Sequence, residues 1–289
     1  MTLFAILLAL FTERVWTDIG SVRSFAWFER LIDGQQHANH GVLGLILIIF
    51  LPLLAVVLLQ LVLYKIVAGL ALVFAAAVLL YSLGPRELDR EVHEFLAAWE
   101  QGDEVRALAF AHQIQGVTGT AFPITSPQRG VVEGILVAGH ERWFGVIFWF
   151  VVLGPLGALW YRLAGLLRER ALVRAGADDF EVAAMMLHHI LGWVPVRLTL
   201  LTYALAGSFA DTIEVLRSDA FHGGRDWPAS NQRLLIRGGL AGLHLEQEPG
   251  VHEIDAGNRQ VRAALGLVLR SLIIAMAVIA VITLSIWAA

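Results

Sequence analysis

The sequence predicts an all-α, polytopic membrane protein with about four to five transmembrane helices and amphipathic helices on the cytoplasmic side. Hydrophobic residues make up 57% of the chain and charged residues only 16%, a balance unlike that of a soluble globular domain. Two nearly unbroken apolar runs, 41–64 and 66–83, each approach the roughly 20 residues that a helix needs to cross hydrocarbon. Lipid is therefore the expected solvent for much of the chain.

The chain is predicted to open with a short interfacial helix and then a transmembrane hairpin. Residues 1–11 are apolar but too short to span hydrocarbon, and Glu13 and Arg14 follow directly, so we expect this segment at the membrane surface. It lacks the basic start and small-residue cleavage site of a secretory signal. Lys65 alone separates the two apolar runs, which predicts a transmembrane hairpin over 41–83.

Charged residues return over 84–142 at helical spacing and predict a polar helical lobe that faces water. Pro85 suits the first turn of a helix that ends at Gly102. A second helix, from residue 103 to about 115, completes an antiparallel hairpin and carries Val105, Leu108 and Ala109. The first helix has an apolar face of Leu88, Val92, Phe95, Leu96 and Trp99, while Glu87, Asp89, Arg90, Glu91 and Glu94 lie largely elsewhere.

Residues 143–210 predict kinked membrane helices. The third long apolar run, 143–160, contains Gly154 and Pro155, which we expect to kink the helix because proline removes one backbone hydrogen bond. A possible fourth crossing over 193–209 is less hydrophobic and is interrupted by a proline and an arginine.

The remainder of the chain divides into a second polar lobe and a final span. Residues 211–262 are rich in glycine, histidine and charges and cannot lie in lipid, whereas 271–287 predict the last transmembrane helix. Three arginines precede that helix and no charge follows it, which places its amino-terminal end on the cytoplasmic side. We therefore expect a single membrane domain over 1–289.

Arg197 is the most informative polar residue because a guanidinium inside an apolar run costs roughly 2.5–3.5 kcal/mol even on a lenient insertion scale. We expect a carboxylate partner, for which the candidates are Glu133, Asp178, Asp179 and Glu181. Alternatively, Arg197 reaches lipid headgroups and stabilises only the topology. Four residues are expected to have structural roles: Trp193 and Pro195 beside Arg197, and Asp178 with Glu181 as a capping-box variant.

Glu133 and His140 predict a site that binds a ligand or a partner. They lie seven residues apart and therefore share one face of a continuous helix. The hypothesis places them around a groove for a small anionic molecule or a partner membrane helix, together with Glu87, Arg142 and Arg197. The alternative is a solvated helix face with ordinary charges.

The sequence predicts no metal, cofactor or nucleic-acid site, and it assigns no residue a catalytic role. His188 and His189 are adjacent and cannot form the i, i+4 pair of a helical zinc site, while His37 and His40 have no third ligand nearby. Neither a phosphate loop nor a dinucleotide-binding motif occurs. The net charge of −4 at pH 7 and the lack of a basic stripe argue against nucleic acid.

Several blocks resemble the AmpE family of bacterial inner-membrane proteins, which are described as signalling modulators of β-lactamase induction. These blocks are Met1-Thr2-Leu3-Phe4 with Glu13-Arg14, and Trp193-Val194-Pro195-Val196-Arg197-Leu198 followed by Tyr203-Ala204-Leu205 and Gly207. The resemblance implies a multi-pass inner-membrane protein with a regulatory role in antibiotic resistance. On this interpretation the protein is non-catalytic and has the lipid bilayer as its main partner.

The chain is also similar to the wider CobD/CbiB group, membrane enzymes that join an aminopropanol unit to cobyric acid by an amide bond. The similar blocks are Ser82-Leu83-Gly84-Pro85-Arg86-Glu87-Leu88, Gly102-Asp103, Phe148-Trp149 with Gly154, and Asp226-Trp227-Pro228-Ala229. Where those enzymes have an Asn-x-x-Asp-Gly stretch, this chain has His140-Glu141-Arg142-Trp143-Phe144. Ala164-Gly165-Leu166-Leu167 stands roughly where they have Asn-Thr-Leu-Asp. The resemblance leaves two alternatives to a regulator, a membrane amide ligase or a scaffold that binds a partner helix.

Overall fold

A computed structural model describes residues 4–6, 8–9, 25–36, 41–83, 88–116, 127–174, 178–221, 230–245 and 254–288. These residues form helices and connecting turns, without strands. The predictions on Glu87, His37, His40 and residues 1–3 fall outside these ranges. The helices are α1 (Ala26–Gln36), α2 (Gly41–Ile66), α3 (Ala68–Ser82), α4 (Leu88–Glu100), α5 (Glu104–Gln115), α6 (Pro127–Gly139), a π-helix (His140–Phe144), α7 (Gly145–Leu153), α8 (Pro155–Arg174), α9 (Asp179–Ala206), α10 (Phe209–Phe221), α11 (Ser230–Gly242) and α12 (Ile254–Ala288).

Within the described residues, four helices are long and apolar enough to cross a membrane. They span Val42–Ile66, Pro127–Leu153, Asp179–Ala206 and Ala256–Ser285, and Gly69–Ser82 is a shorter apolar helix. The prediction of an all-α, multi-pass membrane protein is confirmed. The bounds differ from those expected, because the second span begins in the predicted polar lobe and the last one begins well before residue 271.

The chain divides into two compact units that alternate along the sequence. Unit 1 contains Met1–Pro85, Gly145–Leu191 and Ala280–Ala289, and unit 2 contains Arg86–Phe144 and Gly192–Ile279. The expectation of a single membrane domain over 1–289 stays a prediction.

Unit 1 packs α1, α2 and α3 around α8. Phe28 and Ile32 of α1 are fully buried, and their apolar cluster continues through Leu163 and Leu167 of α8. On the exposed side of the same contact, Arg170 of α8 pairs with Glu29 and Asp33 of α1. A buried apolar face and charged rim of this kind give α1 its amphipathic character.

The expected kink at Gly154 and Pro155 is corrected by the structure, in which these residues separate two helices. Gly154 has φ of +65°, a left-handed conformation suited to a helix C-terminus, and Pro155 is the first residue of α8. Helices α7 and α8 then pack against each other, with the rings of Trp149 and Trp160 5.9 Å apart. Gly157 lies so close to the carbonyl of Trp149 that a side chain there would clash. The dipeptide therefore builds a tight helical hairpin.

Pro195 lies inside α9, which continues through it to Ala206. Because proline has no N–H, the carbonyl of Leu191, four residues earlier, loses its helical donor. The indole Nε1 of Trp149 donates to this carbonyl at 3.0 Å. The side chain thus replaces the missing backbone bond, as lipid-embedded helices require.

Unit 2 is a bundle formed by α4, α5, α6, α10, α11, α12 and the second half of α9. The apolar face predicted for α4 is confirmed, since Leu88, Val92, Phe95 and Leu96 are buried. On α5, by contrast, the buried residues are Ala107, Ala111 and Ile114, and Val105, Leu108 and Ala109 are exposed. The two predicted polar lobes, 84–142 and 211–262, therefore share one apolar core.

Trp149→Phe should lower the free energy of unfolding by about 1–3 kcal/mol, because the Leu191 carbonyl loses its donor. Pro195→Ala restores an N–H at position 195. In that background Trp149→Phe should cost clearly less. The measurement is denaturant unfolding of the detergent-solubilised protein as a double-mutant cycle, and an equal cost in both backgrounds would contradict this account.

Candidate functional site

One end of the unit 2 bundle collects polar side chains from four segments. The hydroxyl of Tyr203 donates to the carbonyl of Leu136 in α6, and His140 at the start of the π-helix contacts Thr199. Helix α6 with the π-helix that follows it therefore runs antiparallel to α9. Gly192 faces Asn231, and Gly238 faces Leu200, so α9 and α11 run parallel. These directions place the π-helix, residues 192–199 and the start of α11 at the same end.

The π-helix carries three consecutive polar residues that are all buried. His140 is 1% exposed, Glu141 7% and Arg142 6%. Neighbouring residues on a helix point in different directions, so burial of all three means that protein surrounds the helix at this point. A π-helix widens one turn and is frequent at functional sites.

Arg142 forms a buried ion pair with Glu91 of α4. Its Nη2 lies 2.9 Å from Oε2 of Glu91, and the two side chains are 7% and 8% exposed. The sequence analysis placed Glu91 largely outside the apolar face of its helix, and the burial of its side chain corrects that expectation. The signal was present in the spacing, because Glu91 lies three residues after Leu88 and four before Phe95, within the apolar stripe.

The protonation of His140 follows from its hydrogen bonds. Its Nδ1 lies 2.9 Å from the hydroxyl oxygen of Thr199, and that hydroxyl donates to the carbonyl of Pro195 at 2.8 Å. A threonine hydroxyl has one proton, so it must accept from His140. The geometry therefore sets His140 as the tautomer with hydrogen on Nδ1, and in the neutral ring Nε2 is the basic nitrogen.

Two amides at the start of α11 join this end of the bundle. Asn231 and Gln232 are 8% and 4% exposed. The Nε2 of Gln232 has no hydrogen-bond partner among the described residues, which makes it an available donor. Sequence reasoning also missed Thr199, Asn231 and Gln232, since none belongs to a local motif. Together with His140 and Arg142 they could hold a polar ligand and accept a proton.

Glu133 belongs to a different part of the bundle. It pairs with Arg129 at 3.0 Å, and Arg129 also donates to the carbonyl of Leu245. Along a helix, seven residues separate Glu133 from His140 by about 10 Å, and each is held by its own partner. The structure therefore does not bring Glu133 and His140 together. The sequence analysis did not anticipate the i, i+4 ion pair between Arg129 and Glu133.

Arg197 contacts a residue of its own helix. Its guanidinium lies 4.0 Å from the ring centroid of Trp193 and donates to the Trp193 carbonyl at 3.0 Å. The carboxylate partner expected for Arg197 stays a prediction. A residue one turn earlier on the same helix thus supplies a cation–π contact to the guanidinium.

The capping-box pair is split between exposed and buried positions. Asp178 is exposed directly before α9, and Glu181 is 7% exposed in its first turn. The backbone carbonyl of Asp178 accepts from the N–H groups of Glu181 and Val182. The structural roles predicted for both stay predictions.

Metal ligands do not converge anywhere in the part of the chain that the structure describes: no group of three or more His, Cys, Asp or Glu residues could hold an ion. The expectations of no metal and no cofactor stay predictions.

A family model described as CobD/Cbib protein matches residues 6–233. This chain belongs to the CobD/CbiB family. It is similar to the cobalamin biosynthesis protein CobD of Chromobacterium violaceum, with 30% identity over 158 residues, 52% of this chain and 49% of the relative. The protein of the same name from Stutzerimonas stutzeri is 34% identical over 93 residues, 32% of this chain and 31% of that protein. No solved structure matches.

Membership of the CobD/CbiB family corrects the identity and the function that the sequence analysis expected. The AmpE identity is not supported, and the predicted regulator of β-lactamase induction is wrong, because the family model and both relatives lead to cobalamin biosynthesis. The block from Trp193 to Gly207, on which the AmpE resemblance largely depended, lies within the residues that the CobD/CbiB family model matches. The matches span about half or less of the length of these relatives.

Glu91→Ala should lower the free energy of unfolding by about 3–5 kcal/mol, because it leaves the Arg142 guanidinium buried without this carboxylate. The matched control is Glu94→Ala on the same helix, whose pair with Arg106 is largely exposed and should contribute at most about 1 kcal/mol. Denaturant titration in detergent measures both variants. Equal, small losses would show that the Glu91 pair is hydrated.

Proposed function

We propose that this chain acts in cobalamin biosynthesis as a membrane amide-forming enzyme of the CobD/CbiB type. The observation that carries the proposal is the family match over residues 6–233, most of the chain. The names of both curated relatives support it. The polar end of unit 2 supplies the chemistry, since its buried imidazole, ion pair and amides are of the types that bind and react with polar substrates.

The reaction implied by the family resemblance joins the amine of an aminopropanol unit to a carboxyl group of cobyric acid. A bond forms between the amine nitrogen and the carboxyl carbon, one carbon–oxygen bond breaks, and the departing oxygen leaves as water with two protons from the ammonium form of the amine. The nitrogen must lose a proton during this step. We propose that Nε2 of His140 accepts this proton. The contact with Thr199 leaves Nε2 as the basic nitrogen of the neutral ring.

The charged residues of the site have separate roles in the proposal. Arg142 orients the anionic carboxyl substrate, and Glu91 holds the guanidinium in place from α4. Glu141 supplies a carboxylate within the block that stands where the family has its Asn-x-x-Asp-Gly stretch, at a position displaced from the family's acidic residue. The proposed location is the bacterial inner membrane.

Expression of this chain in a corrinoid auxotroph that lacks its CobD-type protein should restore growth and amide formation. His140→Ala should reduce amide formation by roughly 10²-fold or more. Glu133→Gln, whose side chain pairs with Arg129, is the matched control and should keep near wild-type activity. The measurement is mass spectrometry of corrinoids in washed membranes, with protein abundance checked by immunoblot.

Two results would overturn the proposal. One is failure of this chain to form the amide in a membrane where a CobD relative does so at similar abundance. The other is full activity of His140→Ala, which would leave the family assignment in place but remove the proposed site.

A further inference from the structure

Helix α12 has one exposed face that is basic at its start and apolar further along. Counted from Arg259, the residues at i, i+3, i+7, i+11 and i+14 lie on this face. Arg259, Arg262 and Arg270 are exposed, and so are Leu269 and Ile273. Helix α12 contains no acidic residue from Arg259 onward. The face therefore presents positive charge directly before apolar surface.

Contacts with two other helices of unit 2 hold the buried side of α12. Val268 packs against α6 where Gly139 leaves room, and a side chain at position 139 would clash with it. Ser271 is fully buried, and its hydroxyl donates to the carbonyl of Thr202 in α9 at 3.2 Å. Because these contacts fix the rotation of the helix, the arginines point away from the bundle.

The guanidinium of Arg270 lies back over Gly266, one turn earlier. Its Nε donates to the Gly266 carbonyl at 3.2 Å. A Cβ at position 266 would meet no other side chain within 4 Å, so there is open space beside the guanidinium. Among the described residues, Arg270 forms no ion pair, and its Nη atoms are available as a fork of donors.

The surroundings of Arg270 indicate the chemistry of a ligand. The donor fork of an arginine matches the oxygens of a phosphate. Leu269 and Ile273, which are 36% and 68% exposed, offer an apolar surface that an acyl chain would cover and a free phosphate would not. The carboxylate of Glu100 reaches this face but pairs with Arg262, so an ammonium group would find no unpaired counter-charge there.

We propose that this face of α12 binds an anionic phospholipid whose headgroup carries no ammonium. Its phosphate lies on the Arg270 guanidinium, in the open space beside Gly266, and its acyl chains lie along Leu269 and Ile273. Arg259 adds positive charge on the polar side, because it forms no ion pair among the described residues. The site goes beyond the proposed function and uses no residue assigned to that function.

Native mass spectrometry of the detergent-solubilised full chain tests the proposal with phosphatidylglycerol, phosphatidylethanolamine and inorganic phosphate as probes. Phosphatidylglycerol should bind about fivefold more tightly than phosphatidylethanolamine. An equimolar amount of inorganic phosphate should not displace it, because phosphate has no acyl chain. Equal affinity for the two lipids, or displacement by equimolar phosphate, would overturn the proposal.

Variants test the assigned residue. Arg270→Gln should weaken phosphatidylglycerol about fivefold and remove the preference between the lipids, and Arg270→Lys, which keeps the charge without the fork, should fall between Arg270→Gln and wild type. Arg217→Gln on α10 also removes one exposed positive charge, so it is the matched control and should bind like wild type. Equal losses in Arg217→Gln and Arg270→Gln would show a general charge effect and contradict the assigned site, as would an unchanged preference in Arg270→Gln.

Discussion

The structure depends on one constraint, that polar groups removed from water must have partners inside the protein. At the polar end of unit 2, the Glu91–Arg142 pair and the His140–Thr199–Pro195 chain satisfy it with side chains from three segments of sequence. Leaving either charge alone would cost far more than the pair contributes. The helices that carry these partners are therefore held in a particular register.

The same constraint explains how the chain tolerates proline and glycine in its apolar helices. Pro195 remains inside α9 because an indole satisfies the carbonyl that it frees, whereas Pro155 begins a new helix after the left-handed Gly154. Proline thus lies inside a continuous helix at one position and begins a new helix at the other. The difference follows from the residue before the proline and from whether a side-chain donor reaches the freed carbonyl.

Local patterns predicted the membrane helices and the apolar face of α4, because hydrophobic length and helical period act within a few turns. The candidate site was harder to predict, since Thr199 and Gln232 reach it only through packing of distant segments. For Arg197 the sequence analysis named carboxylates and lipid headgroups, and the structure shows a contact with Trp193, one turn away on the same helix. The family assignment required comparison over 228 positions rather than one shared block.

The central claim is that buried hydrogen bonds fix the proton of His140 on Nδ1, which leaves Nε2 as the base for the proposed chemistry. Nitrogen-15 NMR of histidine-labelled protein in detergent micelles measures this directly, with Thr199→Val and His140→Gln used for assignment. The account predicts a protonated Nδ1 and, in the neutral ring, an unprotonated Nε2 for His140. A neutral ring with its proton on Nε2 would contradict it.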